Sequence, residues 1–434
     1  MSNLETLDGL QRRLNASIPQ QQIRGEVESR LKRLGHTAKV HGFRPGKVPL
    51  KVLEQQYGAA VQQEVLGDSL QRSFAEAAVA NKLQVAGYPQ FEIKTADLNA
   101  PHIEFSATFE VYPEVVIGDI GGESVSRVTF ALSDADVEET IATLRKQRAE
   151  FKKADRAAQN EDQVRIDFSG KLNGVVFEGG EAKDVALVLG VGRMLPDFEK
   201  AIVGMKAGET NSFDMTFPED YHGKDVAGKQ VTFTITMHAV EAAHLPEVDA
   251  EFAKTLGVMD GDVTKLKAEI KDNIGREAQR RAKVRNKDNA MELLLKVSQL
   301  EVPKSLLEEE AQRLMQQTLQ DMESRGVKVP KGMQLPTDMF VERATKRVKL
   351  GLILAELVKQ HDLKAKPEQI KTLVREYAQS FERPEEVVRW YAAEPERMRE
   401  VENLVLEDNV VAWVMAGAKV SDQPVTMNEL MGSN

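Results

Sequence analysis

Hydrophobic residues near the start of the chain follow first a period of two and then a helical period. The stretch Leu14–Ile18 alternates apolar and polar residues, which predicts a strand. Between Ile23 and Leu34 the apolar residues recur every three or four positions, which predicts one face of a helix. Strict alternation returns over Ile103–Val111 and predicts a half-buried antiparallel strand. These patterns together predict a small α+β domain over residues 1–112.

The intervening and following segments are predicted to be largely helical. Pro49 suits the first residue of a short helix, and apolar positions over Val61–Phe74 mark a second, amphipathic helix. Residues 113–150 begin extended and end in a helix near Ser133. Asp136 stands three positions later, where the side chain of a capping box belongs.

In the rest of the chain, the pattern of apolar and polar residues changes twice. Residues 151–245 contain alternating strands and many glycines, which predicts a mostly β domain with one short helix near Pro196–Val203. From Pro246 onward the pattern is almost entirely amphipathic and helical. A series of prolines should separate these helices: Pro303, Pro330, Pro336, Pro367, Pro384 and Pro395. Residues 246–434 are therefore predicted to be a helical region.

Composition narrows the classes of protein that remain. A length of 434 residues suggests about three domains, and the absence of cysteine excludes disulfides, thiolate zinc sites and a cysteine nucleophile. The seven histidines form no metal-binding pair on a helix, and no nucleotide loop occurs, so we expect no metal and no cofactor. With neither a secretory signal nor an apolar run of 18 residues, we expect a soluble cytoplasmic protein that has no membrane partner.

Charge is unevenly distributed along the chain. The net charge is −10, but residues 1–50 carry a balance of +5 and the remainder −15. A polyanionic partner is therefore expected to contact the N-terminal end. A second basic stripe, formed by Arg276, Arg280, Lys283 and Lys287, is either a solvated helix face or a surface for acidic partners.

The loop Gly42–Pro49 is the most distinctive part of the basic end. Two glycines and two prolines restrict its backbone and should present Phe43, Arg44 and Lys47 at an exposed tip. An aromatic ring flanked by cations suits a surface made of phosphate and apolar protein. The alternative is an ordinary turn with Phe43 packed inward.

The β domain contains a set of apolar and aromatic residues without a paired nucleophile and base. Its members are Phe168, Phe177, Met194, Leu195, Phe198, Tyr221 and Phe233. Such a pocket suits prolyl isomerisation, whose barrier of ~18–20 kcal/mol comes from amide resonance. The same residues could also be a small domain's core. A dinucleotide site at Gly190–Gly192 is disfavoured because Leu195 occupies the third glycine position.

At these residues the chain resembles the bacterial trigger factor family of ribosome-associated chaperones. The loop Gly42–Pro49 resembles the family's ribosome-docking signature, and the segments Asp167–Gly170, Phe177–Gly180, Gly192–Glu199 and Phe217–His222 resemble its FKBP-type isomerase domain. The family pattern implies a multidomain α+β fold. It comprises an α+β docking domain, an FKBP-like β domain and an all-α C-terminal body with two arms, on which the helix of residues 113–150 packs.

The resemblance also implies residue roles and partners. Docking at the polypeptide exit tunnel, through ribosomal protein and RNA, would use Phe43, Arg44, Pro45 and Lys47. Catalysis would use the seven apolar residues together with Glu178 and His222, while Val185 stands where the wider FKBP family has an aromatic wall. The expected activity is an ATP-independent chaperone for nascent and unfolded polypeptides with prolyl isomerase activity, and a homodimer is possible off the ribosome.

Two other classes of protein are compatible with the same features. A dedicated isomerase would use the flanking domains only to locate itself. A structural or assembly protein would use the helical arms to hold folded partners. Ribosome binding and holdase activity distinguish these from a chaperone.

Overall fold

The computed structural model describes residues 3–38, 40, 41, 43, 47–95, 100–221, 223–327, 329, 330, 332, 333, 335–379, 381 and 383–432. Its strands are β1 Asn3–Thr6, β2 Gln11–Pro19, β3 Val85–Ile93, β4 His102–Val111, β5 Val116–Ile117, β6 Ser124–Thr129, β7 Glu150–Lys153, β8 Gln163–Leu172, β9 Val175–Val188, β10 Thr210–Thr216, β11 Gln230–His244, β12 Ser298–Gln299 and β13 Lys419–Pro424. Its helices are α1 Gln20–Gly35, α2 Leu50–Ala80, α3 Asp134–Gln147, α4 Pro196–Ile202, α5 Ala250–Thr255, α6 Val263–Val297, α7 Lys304–Ser324, α8 Asp338–His361, α9 Pro367–Ala378, α10 Pro384–Ala392, α11 Pro395–Gly417 and α12 Met427–Met431.

The chain divides into two compact units. The first comprises Met1–Val128 and Lys283–Gln423, and the second comprises Thr129–Ala282 and Pro424–Asn434. Within the described part of the chain, no helix has both the length and the apolar character that crossing a membrane requires.

The N-terminal part of the first unit is an antiparallel sheet covered by two helices. The strand order is β1-β2-β4-β3, so the strand that closes this region in sequence lies in the interior of the sheet. Phe74 of α2 packs edge-on against Phe109 of β4 at 4.9 Å and against Phe91 of β3 at 5.9 Å. Burial of these rings and of Leu14 on β2 fixes α2 against one face of the sheet.

The prediction of two helices after Pro49 was wrong. Pro49 is the N-cap of a single helix of 31 residues, α2, which runs without interruption to Ala80. Gly58 and Gly67 lie inside it, where glycine weakens a helix by about 1 kcal/mol without ending it. The apolar residues from Leu53 to Phe74 bury one continuous face, and that packing outweighs the glycines.

The C-terminal part of the first unit is mainly helical, and prolines were predicted to separate its helices. Pro303 is the N-cap of α7, while α9, α10 and α11 begin at Pro367, Pro384 and Pro395. This region also contains strands that periodicity did not reveal. β12 pairs with β5 and β13 pairs with β6, so two short sheets join distant parts of the sequence.

The second unit contains a five-stranded antiparallel sheet and a separate helical cluster. The sheet order is β10-β11-β8-β9, and β7 pairs with the last residues of β11, Glu241–His244. The helical cluster joins α3 and α5 to the first part of α6 through buried residues such as Ile141, Phe252 and Leu266. Ser133 caps α3 by accepting from the backbone of Asp136, whose carboxylate accepts in return, so the predicted capping box is confirmed.

Candidate functional site

One face of the five-stranded sheet carries a cluster of aromatic rings centred on Phe233 of β11. Its ring lies 5.3 Å from Phe198, 6.1 Å from Phe177 and 6.3 Å from Phe168, measured between ring centroids. Phe233 is only 4% exposed, and Phe198 only 5%. Phe168 and Phe177 remain partly exposed. The cluster therefore has a buried floor and a surface that solvent reaches.

Glycine at two backbone positions permits this close packing. A Cβ on Gly170 of β8 would lie 2.6 Å from the Phe233 ring and 2.8 Å from the Phe177 ring. A Cβ on Gly180 would lie 2.9 Å from the Phe177 ring. Carbon atoms attract best at about 3.5–4.0 Å, so any side chain at these positions would displace the rings.

The pairing of β8 with β9 explains how Phe177 reaches the cluster. Ser169 pairs with Glu181 and Lys171 pairs with Val176, so four residues, Phe177–Gly180, stand opposite Gly170 alone. This irregularity turns Phe177 toward the sheet surface over Gly170, while Glu178 stays exposed. The site's shape at this edge thus comes from an insertion in β9.

The short helix α4 supplies the remaining floor. Leu195 is its N-cap and Pro196 its first residue, a position that suits a ring with fixed φ. Two turns are enough to place Phe198 edge-on to Phe168 at 5.6 Å. Met194 and Leu195 are partly buried against the same core, so all three residues predicted from this segment meet the aromatic cluster.

Tyr221 joins the cluster, and Val185 lies against the core of the same domain. Tyr221 is partly buried, with its ring 4.6 Å from that of Phe217, which in turn lies 6.2 Å from Phe233. Val185 pairs with Ile166 and is partly buried against the same core. The predicted residue His222 lies outside the described residues.

Sequence reasoning missed two members of the cluster. Phe213 of β10 stacks on Phe233 at 6.1 Å, and Phe217 packs edge-on against Phe177 at 6.0 Å. Phe213 occupies an inward position of β10, and the alternation of apolar and polar residues in that strand could have identified it. Phe217 begins the segment that resembles the family pattern. Both rings pack beside the predicted residues and complete the core behind them.

The predicted docking loop is described only in part. Phe43 is 40% exposed, and its backbone N–H donates to the carbonyl of Val40 at 3.1 Å. Lys47 is exposed just before Pro49 and α2. Arg44 and Pro45 lie outside the described residues. The alternative in which Phe43 packs inward is thus not what the structure shows.

The basic stripe on α6 is extensively paired with acidic groups. In the first unit, Lys283 contacts Asp408 at 2.5 Å, and Lys287 pairs with Glu407. In the second unit, Arg280 contacts Glu277 at 3.2 Å. These contacts favour a solvated and locally neutralised helix face over a surface for polyanions.

Three family models match consecutive parts of the chain. Residues 1–144 match the bacterial trigger factor protein, residues 154–238 match the FKBP-type peptidyl-prolyl cis-trans isomerase, and residues 262–416 match the C-terminus of bacterial trigger factor protein. These matches define the class as a trigger-factor-type protein that contains an FKBP-type domain.

Full-length relatives carry the identification further. The trigger factor of Nitrosospira multiformis is 51% identical over 99% of both chains, and that of Dechloromonas aromatica is 53% identical over 98% of this chain and 97% of its own. The chain belongs to the bacterial trigger factor family. It is a ribosome-associated chaperone that carries a peptidyl-prolyl isomerase domain, and it binds the ribosome and nascent chains.

The chain is also similar to a solved structure from work on promiscuous substrate recognition by the trigger factor chaperone. It is 18% identical to this chain, with a TM-score of 0.48 over 96% of this chain and 99% of that one.

Proposed function

We propose that prolyl isomerisation takes place on the partly exposed side of the aromatic cluster. The residues that we assign to the site are Phe168, Phe177, Glu178, Met194, Leu195, Phe198, Tyr221, His222 and Phe233. The observation that carries this proposal is the position of Phe233, which contacts both partly exposed rings from a buried floor. A proline ring is apolar and would pack against such a floor.

The chemistry requires no acid, base or metal. Rotation about the X–Pro bond removes amide resonance, so the twisted state has lost the charge separation of the planar amide. An apolar surface solvates that state better than the planar one, and the difference lowers the barrier. Phe168, Phe177 and Tyr221 would provide the walls, and Glu178 would act from the rim.

The direct test is a cis/trans assay of an X–Pro peptide with the full chain. Phe177→Ala removes a wall without removing the floor, and we expect kcat/KM to fall about tenfold, or ~1.4 kcal/mol of transition-state stabilisation. The matched control is Phe91→Ala, which removes a partly buried phenylalanine from the other sheet. Equal kcat/KM in Phe177→Ala and wild type would contradict the assignment.

We further propose that docking occurs at the exit tunnel, on ribosomal protein and rRNA, through Phe43, Arg44, Pro45 and Lys47. The exposed ring of Phe43 and the exposed cation Lys47 support it, as does the +5 balance of residues 1–50. Phosphate contacts weaken with salt, so pelleting with ribosomes should decrease as salt is raised.

Co-sedimentation tests this docking assignment. The double variant Phe43→Ala/Arg44→Ala should remain in the supernatant, whereas wild type pellets with ribosomes. The control variant Tyr88→Ala/Arg33→Ala removes an exposed ring and an exposed cation from the same sheet-and-helix region. If both double variants pellet like wild type, the loop is not the docking element.

Client binding is proposed to occur through dispersed apolar side chains of the helical region, weakly and without ATP. Exposed apolar residues there support this: Val327, Met333, Met339, Val341, Tyr377, Phe381, Trp390 and Leu404. Many small contacts give low sequence specificity and fast release. Suppressed aggregation of an unfolded, proline-free client should persist in Phe177→Ala. If both activities disappear together, clients bind at the isomerase site and not on the helical region.

The remaining assignments are proposals of organisation. Residues 1–112 would bind the ribosome, 113–150 would be the linker and its helix, 151–245 the isomerase, and 246–434 the body and arms. A cytoplasmic location is proposed because the protein binds nascent chains. A homodimer off the ribosome would appear in sedimentation equilibrium as a mass twice 48.3 kDa.

A further inference from the structure

Two β-bulges adjoin β8 close to Asp167, one toward β9 at Asp167 itself and one toward β11 between Arg165 and Ile166. Toward β9, Ile166 pairs with Val185 and Phe168 pairs with Ala182, so two residues stand opposite Asp167. Toward β11, the register shifts between Met237 and Ala239, and His238 is the extra residue. Bulges bend a strand and re-aim its side chains, so the backbone around Phe168 is shaped from both neighbours.

The carboxylate of Asp167 connects the two bulges. Its Oδ1 accepts the backbone N–H of Asp184, an extra residue on β9, at 2.7 Å. The same oxygen lies 2.9 Å from Nε2 of His238 on β11. One side chain on the central strand thus binds the extra residue of each neighbouring strand.

The bulge on β9 depends on these contacts. Asp184 has φ of 51°, in the left-handed region that is costly for a residue with a side chain. Arg165 holds the Asp184 carboxylate with two hydrogen bonds, one of them from Nε at 2.9 Å. The Asp167 carboxylate and the Arg165 guanidinium thus hold Asp184 by its backbone and by its side chain. The pKa of Asp167 is lowered by the Asp184 N–H and then by His238, so its carboxylate remains ionised at neutral pH.

Strand geometry links this polar cluster to the aromatic face. Side chains alternate along β8, so Asp167 points away from the face that Ile166 and Phe168 occupy. A slip of β8 by one residue against β11 would place Phe168 on the opposite face of the sheet, away from Phe198 and Phe233. The bulges absorb the extra residues and keep Phe168 inward.

We propose that Asp167 is a positioning residue for prolyl isomerisation, which ties the bulges of β9 and β11 to β8 and thereby holds Phe168 in the wall of the site. This inference rests on the proposed catalytic role of the aromatic cluster. Asp167 touches no substrate in this scheme; it acts through the backbone on either side of Phe168.

The experiment compares kcat/KM and thermal unfolding in the full chain. Asp167→Ala should lower kcat/KM about tenfold, because small displacements of positioning groups have effects of this size. Asp167→Asn should recover most of the activity, because its amide oxygen still accepts the N–H of Asp184. The matched control is Asp214→Ala, which loses the 2.6 Å hydrogen bond from Thr232 in a regularly paired part of the same sheet.

The outcomes separate this inference from the site assignment. Phe168→Ala should lower kcat/KM, and if it does not, the proposed site itself fails. If Phe168→Ala loses activity while Asp167→Ala keeps it, only the positioning role is overturned. Equal losses in Asp167→Ala and Asp214→Ala, or no recovery in Asp167→Asn, would also overturn it. Should Asp167→Ala not fold, His238→Ala takes its place, and unchanged kcat/KM there would refute the proposal.

Discussion

Replacing Gly170 with alanine should disturb the packing of the aromatic cluster. The backbone of Gly170 lies outside the left-handed region, so alanine can adopt its conformation. The new Cβ would nevertheless meet Phe233 at 2.6 Å and Phe177 at 2.8 Å. Both rings would have to move by roughly 1 Å to reach ordinary carbon–carbon contact.

The expected free-energy change follows from two opposing effects. Overpacking of a close-packed core costs about 1–3 kcal/mol. Alanine in a strand interior gains about 0.5–1 kcal/mol over glycine because the unfolded chain loses less entropy. The central expectation is a net destabilisation of about 1 kcal/mol, which corresponds to amide exchange roughly fivefold faster in β8 and β11.

Hydrogen exchange of the full chain, read by mass spectrometry, measures this change region by region. Gly67→Ala is the matched control, since no atom lies within 4 Å of its Cβ and its φ suits a helix. That substitution should slow exchange in α2, because alanine is the better helix former by about 1 kcal/mol. Exchange in β8 and β11 of Gly170→Ala that is as slow as in wild type would refute the packing argument.

Three further predictions concern polar contacts. Burial raises the pKa of Glu110, but hydrogen bonds from the backbone N–H and the hydroxyl of Ser305 lower it by a larger amount. The pKa of Glu110 is therefore below its ordinary value. The attachment of α7 to β4 should therefore be stable above pH 4.5 and weaken as the pH falls below it, and Glu110→Gln should remove that pH dependence of amide exchange at the start of α7. Asp162→Asn, which disrupts the bidentate pair with Arg156 at 2.6 and 2.8 Å, should destabilise the isomerase domain by about 2 kcal/mol in thermal unfolding. Ser133→Ala should destabilise α3 by about 1 kcal/mol, seen as faster exchange in its first turn.

Local signals predicted the elements whose causes are local. The capping box at Ser133 and the helix starts at Pro367, Pro384 and Pro395 follow from contacts within a few residues, and the structure has them. The continuity of α2 did not follow, because burial against a distant sheet outweighs its internal glycines.

Periodicity also failed where a strand needs a distant partner. β12 and β13 are short, and each exists through pairing with a strand more than 150 residues earlier in the chain. A strand of two residues has no period to detect. Only the folded chain brings such segments together.

The candidate site shows the same division. The sequence alone predicted the aromatic set on alternating strands and the exposed cationic loop around Phe43. It also showed the resemblance to trigger factors. Which rings touch was decided by register, because four residues opposite Gly170 and two opposite Asp167 determine where Phe177 and Phe168 point. Register depends on hydrogen bonds between strands that are separate in sequence, and no pattern within one strand contains that information.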